Sequence, residues 1–242
     1  MDMSDPRVPL LLAHAKASKQ AYDRGRHRPE LPSNLQDLSG IDLSDADLES
    51  ANLRGANLER AYLGQANLTG ANLTAANLIR ANLTGADLTR ADLNGANLNG
   101  ANLYRANFTN AKLIDANLTD AHLWKANLTS ADLTGTTLTG ADLEGANLHG
   151  ADLSGANLEG ADLKSAKLSF ADLTDAKITQ DQLDRLLYID VAEYGYPKEV
   201  AKKVILFHEP ERQFRKREAK KRLVVELRAD GKLYIKTPIF LY

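Results

Sequence analysis

From Gln36 to Gln180 the chain repeats a five-residue word, A-(N/D)-L-x-x, with no insertion, deletion or proline. The apolar centre of the word falls at Leu38 and at every fifth residue to Ile178, giving 29 words. Leucine fills 27 centres, and Phe108 and Ile178 fill the other two. The residue two before each centre is alanine in 26 words, with Gln36, Ile41 and Thr136 as the exceptions. A repeat held in phase for this long fixes the architecture before local propensity is weighed. A period of five drifts around an α-helix instead of holding one face, and it lacks the sustained alternation of an ordinary strand. Two apolar positions one residue apart mark a very short extended piece with both side chains inward, and the next two residues turn a corner. Four words then close a square coil, twenty residues round. Successive coils pair as parallel strands at a spacing of about 4.8 Å. Leucine fills the middle of the square, and small alanine lets the backbone close in. Twelve of the sixteen glycines stand two after a centre, where a corner favours glycine's backbone freedom.

The runs GANL, ADLTG and ANLTGADLTRADLNGANLNGANL resemble the pentapeptide-repeat family, whose pattern is A(D/N)LXX, and the resemblance covers 36–180. It implies an all-β solenoid, a right-handed quadrilateral β-helix of about seven coils and roughly 34 Å in length. Such a rod has a solid leucine core with no interior cavity, and its stability is nearly a sum over neighbouring coils.

Outside the repeats the pattern changes. Residues 1–35 read as a helical cap and lead-in: a helix starting near Pro9, ending by Gly25, with Leu11, Leu12, Ala15 and Tyr22 on the face laid over the first coil. Covering an open β-helix end protects an unpaired edge. Past Ile178, Thr179 and Gln182 have the spacing of a capping box. Residues 181–242 then read as a small α+β extension. Its helices fall on Asp181–Tyr188, Pro197–Phe207 and Glu211–Arg222, and a hairpin joins Leu223–Leu227 to Leu233–Lys236 around Asp230-Gly231. The apolar end Ile239–Tyr242 calls for cover from the last coil or from a second copy, a homodimer through a terminus.

Charge separates these parts. The net charge is −2, but residues 36–180 carry ten basic and eighteen acidic groups, and residues 181–242 carry fourteen basic and ten acidic. An acidic rod with a basic tail points to interaction with other molecules. With no cysteine, thiol catalysis, disulfides and cysteine-type zinc sites are excluded. No apolar run reaches the roughly 20 residues of a membrane span. Val8–Ala13 is too short and too acidic in its approach for a signal peptide, so the expected location is the cytoplasm.

The histidines, His14, His27, His122, His149 and His208, have no metal-ligand spacing, and neither a hydrolase triad nor a nucleotide loop is present. Asparagine or aspartate before the centre recurs too regularly to be a site; it suits hydrogen bonding to nearby backbone or side-chain ladders. The expectation is a protein with no catalytic residues, metal or cofactor, acting as a protein-interaction scaffold through its outer faces.

Individuality lies on those faces. In one column, Tyr104 and Trp124 stand on adjacent coils, with Arg105, Lys125 and His122 beside them. An exposed aromatic pair rimmed by cations has the composition of an interaction hot spot; the competing reading is a pair of rings that only cover each other. A second column carries Asp92, Asp132, Asp152 and Asp172 before its centres, near Asp115 and Asp175. The resemblance brings in a DNA-mimic reading here, because some relatives are held to bind type II topoisomerases, of the gyrase type, by imitating duplex charge. A duplex carries about one charge per 1.7 Å, whereas this column offers at most one per coil, and Lys112 interrupts it. Finally, Arg212, Arg215, Lys216, Arg217, Lys220, Lys221 and Arg222 form a basic run with Phe214 among them. It is a candidate contact for nucleic acid, anionic lipid or an acidic partner, set against a solvated helix neutralised by Glu211 and Glu218 and by the acidic rod.

Overall fold

The computed structural model describes residues 2–168, 170–179 and 182, together with the backbone of 224–227 and 233–236. The repeats form a rod. Each residue before a centre makes a parallel bridge to its equivalent twenty positions on, from Asp37↔Asn57 through Tyr62↔Asn82 to Asn157↔Lys177. The coil is therefore four words round, and each extended piece is only one bridge long.

One word shows why the chain adopts this shape. Leu58 N donates to Asn77 O (2.7 Å), Arg60 N to Ile79 O (2.9 Å), Ala61 N to Leu58 O (3.0 Å) and Tyr62 N to Ile41 O (2.8 Å). The fifth amide, on Glu59, faces no carbonyl; the Asn57 side chain accepts it at 3.3 Å. Each of the five amides thus has a partner, as a closely packed backbone requires. The asparagine or aspartate of the word is the acceptor that completes the set. The same bond recurs at Asn72 to Thr74 N (3.1 Å), Asp87 to Thr89 N (3.0 Å) and Asn117 to Thr119 N (3.0 Å). Asparagine amides also join coil to coil, as in Asn77 to Asn57 (3.0 Å) and Asn117 to Asn97 (3.2 Å). Both roles expected of these residues are present.

The corners are left-handed throughout. Every position two after a centre from Gly40 to Asp175 has φ between 54° and 72°, whether or not it is glycine. The Leu58–Ala61 turn shows the consequence: its carbonyl-to-amide bond closes over a left-handed third residue, the place where a type II turn takes glycine. Inside, the leucines and alanines form one continuous buried core, and Phe108 is completely enclosed. Thr136, which stands where alanine is usual, is also fully buried and donates its hydroxyl to Leu113 O at 2.8 Å.

Both ends of the rod carry caps. Helix α1 runs from Arg7 to Asp23, with Pro6 at its N-cap and Pro9 in its first turn, so it starts earlier than expected from Pro9 alone. Val8, Leu11 and Ala15 are buried and Leu12 packs beside them. Tyr22 departs from expectation: it is 57% exposed instead of lying on the coil. The reason is that the inner face continues through polar residues. His14 Nε2 bonds Asn52 O at 2.9 Å, and the buried Ser18 hydroxyl accepts from Asn52 N at 3.3 Å. Lys19 pairs with Glu49. These contacts leave the Tyr22 ring outside, where the Arg28 guanidinium lies 4.5 Å over its centre.

At the other end, Thr179 and Gln182 close a reciprocal capping box: Thr179 N donates to Gln182 Oε1 (2.8 Å) and Gln182 N to Thr179 Oγ1 (3.4 Å). The Gln182 amide also donates to Leu158 O and Ala161 O, both at 2.6 Å. In the repeat register, Ala161 O would accept the backbone amide of residue 182 in a further coil, just as Ala141 O accepts that of Asp162 (2.9 Å). A side-chain amide takes that place and terminates the ladder.

Two more strands, β1 (Val224–Leu227) and β2 (Leu233–Lys236), pair antiparallel with Val225 opposite Ile235. The expected helices past Gln182, the hairpin turn and the terminal Ile239–Tyr242 lie outside the described residues.

Candidate interaction faces of the rod

The four sides of the coil are conveniently named by their first centres: Leu38, Leu43, Leu48 and Leu53 for sides one to four. Because the core is solid, chemistry is confined to the residues flanking each centre.

Side two carries the aromatic group, and the bridge register is what stacks it. His122 pairs with Asn102 below it, which places the residues two positions on, Tyr104 and Trp124, on consecutive coils. Their rings stack with centroids 4.9 Å apart and planes 19° from parallel. The Arg105 guanidinium lies 5.0 Å from the Tyr104 centroid, and Lys125 Nζ lies 4.3 Å over Trp124. Arg105 and Lys125 are left-handed corner residues, with φ of 54° and 56°. Trp124 is 39% exposed, Tyr104 half-buried and His122 exposed. All five residues singled out from sequence therefore meet on one patch. The stack with its two cations shares out much of the π surface internally, so ring edges and charged heads are what the patch shows to solvent. Just beyond it, Lys164 pairs with Glu144 at 2.9 Å, and that hydrogen bond raises the lysine above its ordinary pKa.

Sequence reasoning missed Tyr62. It is 54% exposed, on the same side, and in the same column as His122. A signal was available: Tyr62 and His122 are two of only six words in which the residue before the centre is neither asparagine nor aspartate.

The acidic column lies on side four. Asp132, Asp152 and Asp172 stack on consecutive coils, and Lys112 separates them from Asp92. Each carboxylate serves its own corner. Asp132 accepts from Thr134 N (3.1 Å) and Oγ1 (2.7 Å), Asp152 from Ser154 N (2.9 Å), and Asp172 from Thr174 N (2.9 Å) and Oγ1 (2.6 Å). Lys112 cannot accept, and Asn94 of the coil below covers the gap by bonding Ile114 N at 2.9 Å.

Sequence reasoning also missed a cleft of about 580 Å³ where the segment after α1 passes beside side four. Tyr22, Arg26, His27, Arg28 and Glu30 form one wall, and Asn52, Arg54, Asn72, Arg90, Asp92 and Lys112 form the other. Asp92 thus stands among cations and not on a continuous acidic face. The basic run Arg212–Arg222 lies outside the described residues. Among the described residues, no helix is long and apolar enough to cross a membrane.

Comparison with known proteins agrees with this architecture. The family model described as pentapeptide repeats matches eight copies, over residues 36–65, 66–104, 106–145 and 141–180. Among solved structures, the chain is 38% identical to HetL, a pentapeptide-repeat protein involved in heterocyst differentiation regulation from the cyanobacterium Nostoc sp. strain PCC 7120. That match covers 60% of this chain and 77% of HetL, with a TM-score of 0.45. QnrB1, a plasmid-mediated fluoroquinolone resistance protein, matches at 26% identity and a TM-score of 0.53, covering 56% of this chain and 68% of QnrB1. Rfr23 from the cyanobacterium Cyanothece 51142 matches at 33% identity and a TM-score of 0.44, covering 46% and 89%. No curated protein matches. The known structures of such proteins are right-handed quadrilateral β-helices. The repeat register, the five-bond word and the family match over 36–180 together make this chain a member of the pentapeptide-repeat family.

Proposed function

We propose that the protein is a non-catalytic scaffold that binds a protein partner through side two, with Tyr104, Arg105, His122, Trp124 and Lys125 as the contact group. The observation that carries this reading is the Tyr104–Trp124 stack itself, 4.9 Å between centroids on a side whose other outward residues, Tyr62 apart, are small, polar or charged. Neither ring fills the core or closes an end of the rod, so fold alone does not call for them. Aromatic anchors with flanking arginine are the residue types that dominate binding energy at interfaces. Tyr62 extends the same side toward the N-terminal end.

The test compares wild type with Tyr104→Ala/Trp124→Ala for capture of a partner, alongside thermal unfolding. Loss of the stack and its two cation contacts costs about 1.5–3.5 kcal/mol of stability, which leaves the rod folded. Partner binding should vanish while the variant stays folded at the assay temperature, its unfolding midpoint lowered by roughly 3–14 °C. Retention of the partner by the variant refutes the assignment.

A second reading is imitation of duplex DNA toward a type II topoisomerase. The stacked carboxylates of Asp132, Asp152 and Asp172 favour it, as does the structural match to QnrB1. Their spacing of about 4.8 Å is sparse beside the ~1.7 Å per charge of a duplex, and the lower part of the side is cationic. The scaffold reading is therefore preferred. A salt-dependent complex with a gyrase-type enzyme, lost on Asp132→Asn/Asp152→Asn, would reverse that order.

A further inference from the structure

We infer that the cleft beside side four is a binding site for a short oligophosphate, the group shared by nucleoside triphosphates and inorganic tripolyphosphate. Its lining brings together Arg26, Arg28, Arg54, Arg90 and Lys112 against only two carboxylates, Glu30 and Asp92. None of these seven residues takes part in an ion pair among the described residues. This is unusual on a rod that carries eighteen acidic against ten basic groups. Carboxylates are plentiful along side four, yet the cations gathered at its lower end form no ion pair with them among the described residues.

Shape and residue type narrow the ligand. The volume of about 580 Å³ suits a small molecule rather than a protein loop. Along the rod, Arg54 belongs to the first coil and Lys112 to the fourth, so the cations extend over about 14 Å. A single phosphate or carboxylate cannot reach across that length, whereas a chain of linked phosphates can. Four of the five cations are arginines, whose planar fork pairs with two oxygens of a phosphate at once. The Asn52 and Asn72 amides do not compete, because they are engaged with Pro29 O (2.8 Å) and with the Asn52 side chain (3.2 Å). The site is independent of the aromatic patch, which occupies the opposite side of the coil.

The test titrates the full-length protein with inorganic tripolyphosphate by calorimetry, in parallel with Arg54→Ser/Arg90→Gly. Arg90 is a left-handed corner with φ of 58°, so glycine is tolerated there. Saturable binding of one tripolyphosphate, weakened at least tenfold in this variant and unchanged in Arg60→Ser on another side, is the expected result. Because the basic tail could also attract polyanions, Arg215→Ser/Lys216→Ser/Arg217→Ser is measured as well. Binding lost in the tail variant but kept in the cleft variant overturns the inference, as does the absence of saturable binding to wild type. A nucleoside triphosphate arm separates the sources: tighter binding than tripolyphosphate points to a base contact near Tyr22, and equal binding to the phosphate chain alone.

Discussion

Gly95→Ala isolates what the left-handed corner costs. Gly95 has φ of 65°, and a methyl group added there meets no atom within 4 Å, so the change adds backbone strain without a clash. An L-residue in this conformation costs roughly 1–2 kcal/mol. The lost freedom of glycine in the unfolded chain returns about 0.5–1 kcal/mol. The net expectation is a loss of about 0.5–1 kcal/mol, or about 1–4 °C in unfolding midpoint for a chain of this size. Ala75→Gly is the reverse experiment on the same side of the coil, from φ of 55°, and should gain a similar amount. At Gly85 a methyl would come 2.2 Å from the Gln65 amide. That side chain is long and can swing away, so Gly85→Ala should lose only slightly more than Gly95→Ala. Reversible urea denaturation followed by circular dichroism reads all three. If Gly95→Ala is neutral or Ala75→Gly destabilises, strain at the corners is not what selects glycine.

Other expectations follow from particular contacts. Leu98→Ala, in the middle of the core, should cost about 2–5 kcal/mol, measured by the same denaturation and well above any corner substitution. Gln182→Ala leaves Ala161 O without its donor at the last coil; an unsatisfied buried carbonyl costs about 1–3 kcal/mol. Hydrogen exchange should then quicken in residues 156–178 and stay unchanged near the first coil, and uniform protection would contradict the capping role. Hydrogen bonds hold two carboxylates of the first coil below the ordinary range: Asp37 through the Ser39 side chain above all, and Asp42 through the Ser44 backbone. A carboxylate depressed on folding stabilises the fold above its unfolded value and loses that contribution as pH falls through the folded one. Stability should therefore drop below about pH 4, and Asp37→Asn, which keeps the acceptor but cannot titrate, should flatten the slope of midpoint against pH.

How much the sequence reveals depends on whether a position belongs to the repeat. Leucine, alanine and the corner each sit in an environment that every coil renews, so periodicity alone places them correctly from Leu38 to Ile178. The cap on the first coil was legible in its apolar half, Leu11 and Ala15, because helical spacing announces burial. Its polar half was not: nothing in the sequence says that His14 and Ser18 turn inward, since their partner, the Asn52 backbone, is set by how the helix lies on the rod. The Tyr104–Trp124 stack was legible because both rings share one repeat position twenty residues apart. The cleft was not, because half of its wall comes from the non-repeating segment 22–30, to which the twenty-residue register assigns no position.

The departures from the repeat are where fold and function can be told apart. Where the residue before a centre is neither asparagine nor aspartate, the word loses the acceptor for its fifth amide, and the structure shows whether a neighbour makes up for it. At Lys112 the replacement is plain: Asn94 reaches up one coil to Ile114 N. Thr136, a departure at the alanine position, is answered by its bond to Leu113 O. These two are absorbed by the architecture. Tyr62 and His122 are of another kind, since both are exposed, both lie in one column of side two, and that side also carries the stacked rings. Two independent breaks in the word on the side that holds the Tyr104–Trp124 pair are difficult to attribute to packing, because their side chains leave the core unchanged. On the proposed reading they belong to the contact surface of side two, which makes Tyr62→Asn and His122→Asn informative partners to the ring deletions: each restores the repeat, so each should hold or raise stability, and the proposal expects each to weaken capture of the partner.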